Sequence, residues 1–205
     1  MATEKPKGTH PSPTYWVDIL FREFEGESDR ACAILAATLL DTALEALLRA
    51  RLVPNASTTD SLFGGPTAPL ADFSSRIDMA FRLGLISPQF ARDLHIVRRI
   101  RNDFAHNISG CTFEDASVRD RVLALSRSIG TTSCHESWLE RVGATPKGHF
   151  ELILSWMLWK LRSLISRTSA IPAADPEWGY QKDWSKPPGD KKEDKDSDAD
   201  ADGKT

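Results

Sequence analysis

The densest grouping of reactive side chains in this sequence is Arg98-Arg99-Ile100-Arg101-Asn102-Asp103-Phe104-Ala105-His106. Arg98, Asn102 and His106 fall four apart, so on a helix they share one face. Arg101 lies about 140° from His106 by helical geometry, but its long side chain can swing toward the same end. Metal-free cleavage of a phosphodiester needs one group to take the 2′-hydroxyl proton, another to protonate the leaving oxygen, and a cation for the extra phosphate charge. An imidazole with an ordinary pKa of about 6.5 suits the proton transfers. A guanidinium fork suits the phosphate. Arg101 and His106 are therefore the candidate catalytic pair, with Asn102 in support. One imidazole cannot make both transfers, so a homodimer that pairs two such helices is expected. The plain alternative is structural: His106 interacts with the last helical carbonyls, and Arg101 is held by Asp103 or Asp41.

The element that carries these residues reads as an amphipathic helix. Phe90, Leu94, Val97, Ile100, Phe104 and Ile108 recur at spacings of three and four. Ser87-Pro88 is a helix start, a capping serine before proline at the first position. Ser109-Gly110 is a stop.

Other segments follow the same period. Residues 15–25 form a short helix with Trp16, Ile19, Leu20 and Phe24 on one side. Residues 27–52 form the longest, capped by Ser28 or Asp29, and its run 31–40 is apolar all round, the mark of a buried central helix. Residues 70–83 point Phe73, Ile77, Ala80 and Phe81 inward. Residues 112–127 start from a Thr112-Phe113-Glu114-Asp115 capping pattern and present Val118, Val122, Leu123 and Leu125. Residues 145–167 are the last helix, while 128–144 are ambiguous, with a short helix around 135–141. No β pattern or internal repeat occurs. The expected fold is all-α, an antiparallel multi-helix bundle over residues 14–168, between a disordered segment 1–13 and a disordered charged tail 169–205. Within it Asp41 and Arg76 are charges on or beside apolar faces, and are expected to form a structural ion pair. The loop 53–69 is long for a compact domain, so it is either packed or functional.

Composition narrows the function. The 205 residues hold 26 Lys and Arg against 29 Asp and Glu, a net charge of -3. Residues 190–204 contain seven acids and four lysines, so the tail carries that charge and the rest is neutral. A protein that coats nucleic acid is excluded, but a local basic site at Arg92, Arg98, Arg99 and Arg101 is not. Trp178, Tyr180 and Trp184 in the tail either pack on the domain or form a docking segment. Three cysteines without CxxC spacing suit a reducing cytoplasm. The polar N-terminus and the short apolar run 31–40 give no signal peptide or membrane span. His95, His106, His135, His149, Cys111 and Cys134 lack ligand spacing beyond the adjacent Cys134-His135, so no metal or cofactor is expected. Gly64-Gly65-Pro66 lacks the lysine of a phosphate loop, and no nucleophile motif is present.

Arg101-Asn102-Asp103-Phe104-Ala105-His106 resembles the signature of HEPN domains: an arginine, a polar neighbour, and a histidine four to six residues later. The wider sequence is similar to the mannitol operon repressor (MltR-like) family. The matching pieces are Glu27-Ser28-Asp29-Arg30-Ala31-Cys32-Ala33-Ile34-Leu35, Leu62-Phe63-Gly64-Gly65-Pro66, Phe73-Ser74-Ser75-Arg76-Ile77-Asp78 and Leu83-Gly84-Leu85-Ile86. The resemblance covers about residues 21–125, places Asp41 and Arg76 at characteristic family positions, and implies a dimer. It also implies a cytoplasmic transcriptional regulator that works through a protein partner, such as another regulator. No basic recognition helix stands apart from the core, so direct DNA reading is the weaker form of that function. The alternatives are a HEPN-type metal-independent endoribonuclease, a toxin or defence component, and an inactive module that binds RNA.

Overall fold

The structure, a computed structural model, describes residues 22–55, 57, 59–107, 110–129, 140 and 143–175. Five long helices are described: α1 (Asp29–Arg51), α2 (Phe73–Arg82), α3 (Pro88–His106), α4 (Ala116–Ile129) and α5 (Pro146–Arg167). Among the described residues there is no strand, and the fold is an all-α bundle. Chain contacts group Met1–Ile171 as one unit and Pro172–Thr205 as another. The segment 1–13, most of the helix expected at 15–25, the region 130–139 and the tail aromatics lie outside the described residues. Residues 22–24 are helical, and Phe24 is buried.

α1 is the centre of the bundle and packs against α5, α3 and α2. Its 23 residues contain no glycine or proline, and the Ser28 side chain accepts from Ala31 N at 3.2 Å. Leu40, Leu44, Leu47 and Leu48 are wholly buried, and Ala33, Ala36, Ala37 and Ala43 keep the surface thin where neighbours approach. An 18-residue window of α1 has a mean hydropathy of 1.8, long and apolar enough to cross a membrane by composition. This reaches further than the run 31–40 suggested. Half of that window is buried inside the bundle, as a core helix requires.

Three boundaries differ from the periodic reading, each for a local reason. α2 begins at Phe73 because Asp72 caps it, its carboxylate accepting from Ser75 N at 3.0 Å. α4 begins at Ala116 because the Asp115 carboxylate turns back to accept from the Thr112 backbone and hydroxyl, both at 3.2 Å. That turn lets Phe113 drop into the core. α3 starts as expected, with Ser87 accepting from Phe90 N at 3.1 Å, but ends at His106 with Asn107 as its cap. Ile108 and Ser109 lie outside the described residues.

Two inward assignments are corrected. Phe81 is 40% exposed and Leu123 46% exposed, because the buried faces run through Arg76, Ile77 and Ala80, and through Val118, Val122 and Leu125. α2 closes on Gly84 at φ +67°, where Leu85 N donates to Ala80 O and Gly84 N to Phe81 O, both at 2.9 Å. This is the left-handed helix stop that glycine allows. It turns the chain straight into α3, which packs beside α2.

The long loop after α1 is packed. Phe63 and Leu70 are buried, and Leu70 N donates to Leu62 O at 2.8 Å. The Arg49 guanidinium lies 4.0 Å above the Phe63 ring while bonding Asp60 at 2.7 Å. Beyond α5, Ile171 N donates to Arg51 O at 2.8 Å and Arg51 Nη1 to Ser169 O at 3.2 Å, which ties residues 169–171 to the end of α1.

Candidate functional site at the end of the third helix

Leu94, Val97, Ile100 and Phe104 fix the roll of α3, since all four are wholly buried. The remaining arc carries the candidate residues to two cavities. One, of about 410 Å³, lies between α1, the start of α2, and α3, and its lining includes Asp41, Asp72, Arg98, Arg101 and Asn102. The other, of about 580 Å³, is lined by Asn102, Asp103, His106, Cys111, Asp115 and Arg121, among others. Asn102 is the shared wall. Arg101 Nη1 donates to its Oδ1 at 3.0 Å. Arg101 and Asn102 thus meet, joined by Arg98, which the sequence placed on the Asn102 face without a catalytic role. His106, exposed on the last residue of α3, opens to the other cavity.

Neither acid expected to hold Arg101 does so. Asp103 is paired with Arg121 of α4, and Asp41 with Arg76 of α2. The Asp41–Arg76 contact is one bond of a larger network. Arg76 is buried, with Nη1 donating to Asp41 Oδ1 at 2.8 Å, Nη2 lying 2.7 Å from Glu45 Oε2, and Nε donating to Leu70 O at 2.9 Å. Glu45 also accepts from Arg49 Nε at 2.8 Å. Sequence reasoning missed Glu45, although Asp41, Glu45 and Arg49 are four apart and so share one face of α1. Burial pushes the Asp41 carboxyl above its usual range, against the opposing pull of Arg76.

A second buried acid also escaped notice. Glu151 sits in the most apolar stretch of α5, 9% exposed, with Cys32 Sγ 3.8 Å from its Oε1. Burial raises its pKa, and Lys147 opposes that shift. An acid whose folded pKa is raised holds its proton more tightly in the folded chain. Its stabilising contribution is therefore full below the unfolded pKa of about 4.3 and declines as pH rises through the folded value. Glu151→Gln removes this titration. Its thermal melting temperature is expected to decline less than wild type's from pH 4 upward, and to equal or exceed wild type's at pH 7. Parallel melting profiles for the two chains would contradict the assignment. Cys32 beside it is wholly buried, and burial pushes its thiol up to about 11. Asp93 was likewise overlooked: it is 2% exposed on α3 and accepts from the Ser128 hydroxyl and from Arg92 at 3.1 Å. Among the described residues no group of three or more His, Cys, Asp and Glu is placed to hold a metal.

No family model and no curated protein sequence matches the chain. Among solved structures it is similar to the X-ray structure of the MtlR-HPr complex from Escherichia coli, with a TM-score of 0.51 at 20% identity. The likeness covers 72% of this chain and 98% of that one. The chain has an MtlR-like fold. At this identity the likeness to MtlR concerns the path of the helices.

Proposed function

We propose that this protein is a cytoplasmic transcriptional regulator that acts by binding another protein, and does not read DNA directly. The observation that carries the reading is the position of α3, the helix with the densest arginine cluster, Arg98, Arg99 and Arg101. α3 is a core helix whose Leu94, Val97, Ile100 and Phe104 are wholly buried, and Arg98 and Arg101 line a cavity against α1 and α2. With Arg98 and Arg101 at that cavity, α3 presents few cations elsewhere for reading a major groove, which supports a protein partner over direct DNA reading. The solved structure with the similar fold is a complex of MtlR with a protein, HPr, and we propose HPr or a protein like it as the partner here.

A ribonuclease reading draws on Arg101 and His106 being five residues apart at one helix end. In one copy they line different cavities, so the reading needs a homodimer whose second copy brings an imidazole to the first copy's arginine. Incubation of the purified chain with single-stranded RNA, with and without chelator, tests this. The regulator reading expects no cleavage above a protein-free control. Chelator-resistant cleavage that is lost in His106→Ala would overturn it.

A further inference from the structure

We propose that the cavity between α1, the start of α2, and α3 binds a small phosphate monoester through Arg98 and Arg101. Its volume, about 410 Å³, is that of a small-molecule site. Four charged side chains line it: Asp41, Asp72, Arg98 and Arg101. Both acids are already engaged. Asp41 receives Arg76 Nη1 at 2.8 Å. Asp72 caps α2, accepting from Ser75 N at 3.0 Å and from the Ser75 hydroxyl at 3.1 Å.

Among the described residues the two arginines have no such partners. Arg98 Nε is buried and bonded to nothing among the described residues. Arg98 lies near enough to Asp72 to favour its ionised form, yet no ion pair joins them. Among the described residues Arg101 donates only to the neutral amide of Asn102, at 3.0 Å. Two guanidinium groups one helical turn apart thus stand at one cavity without an ion-pair partner among the described residues, and a buried N–H without an acceptor is a standing cost until a ligand oxygen meets it. A dianionic phosphate matches that charge, and the planar fork of arginine matches its oxygens. Thr38, Ser74 and Asn102 add polar groups for the hydroxyls of an attached carbon chain. A cavity of about 410 Å³ holds one such ligand and not the successive phosphates of a polymer, which favours a small ligand over RNA.

The test is thermal denaturation of the full chain in inorganic phosphate, in glycerol phosphate, and in chloride at equal ionic strength. At a ligand concentration roughly a hundred times its dissociation constant, the melting temperature should rise by about 5–10 °C over chloride. Arg98→Met and the exposed-site variant Arg101→Met should each lose most of that rise, and glycerol phosphate should act at lower concentration than phosphate. The proposal is overturned by equal melting in phosphate and chloride, or by a rise that persists in Arg101→Met. A glycerol phosphate response weaker than that of phosphate overturns the monoester assignment. A larger rise with a short RNA at equal phosphate concentration overturns the small-ligand assignment.

Discussion

Arg76→Ala is expected to lower the unfolding free energy by about 3–5 kcal/mol, the cost of removing one partner from a buried charge cluster. The guanidinium ties α2 to three acceptors on two other parts of the chain: Asp41 and Glu45 on α1, and Leu70 O in the loop. Its removal leaves two carboxylates 4 residues apart on one face, repelling each other, and a loop carbonyl without its donor. Asp41 and Glu45 keep 29% and 28% of their side-chain surface, so water offsets part of the loss and favours the lower half of the range. For a domain of this size the melting temperature should fall on the order of 10 °C. Arg76→Lys should recover only part of it, because an ammonium cannot serve three acceptors in fixed directions. Asp41→Asn should cost less than Arg76→Ala, since Glu45 still holds the guanidinium. Urea denaturation of the three variants measures this, and a loss below about 1 kcal/mol for Arg76→Ala would contradict the account.

The second large effect is expected at Phe113, which lies in the turn before α4 rather than on a helix. Its ring is 1% exposed and stands between Phe104 of α3 at 5.0 Å and Phe150 of α5 at 4.9 Å, both tilted. Its backbone N–H donates to Asp29 Oδ2 at 3.0 Å, which joins the same turn to the start of α1. Phe113→Ala empties the space where three helices meet, and should cost about 3–5 kcal/mol. Phe113→Leu should cost about 1–2 kcal/mol, since most of the volume is kept. Equal stability of Phe113→Ala and wild type in urea would show that the ring is not part of the core.

The helices were legible because each has a period, and three of them have a start signal read in the sequence: Ser28, Ser87 and Thr145 all cap with their side chains. The Asp41–Arg76 contact was legible too, since two charges on apolar faces need each other. What periodicity could not supply was direction at the level of one residue. Phe81 and Leu123 sit one position away from buried neighbours and come out exposed, a difference set by how the helices roll. Phe113 was read as part of a capping pattern, because a turn residue that plugs a core leaves no period. The candidate site suffered from the same limit. Arg98, Asn102 and His106 do share an arc of α3, but α2 closes over one part of that arc and α4 over another, so the arc opens to two cavities. Tertiary contacts decided that division, and no local spacing encodes them.

The most direct test of the central claim is calorimetric titration of the purified full chain with purified HPr, beside a parallel titration with promoter-length duplex DNA. The account predicts saturable one-to-one binding of HPr with a dissociation constant of about 10 μM or tighter, and DNA binding that is weak, sequence-independent and abolished by salt. No heat with HPr, together with tight, salt-resistant and sequence-specific binding of DNA, would contradict it.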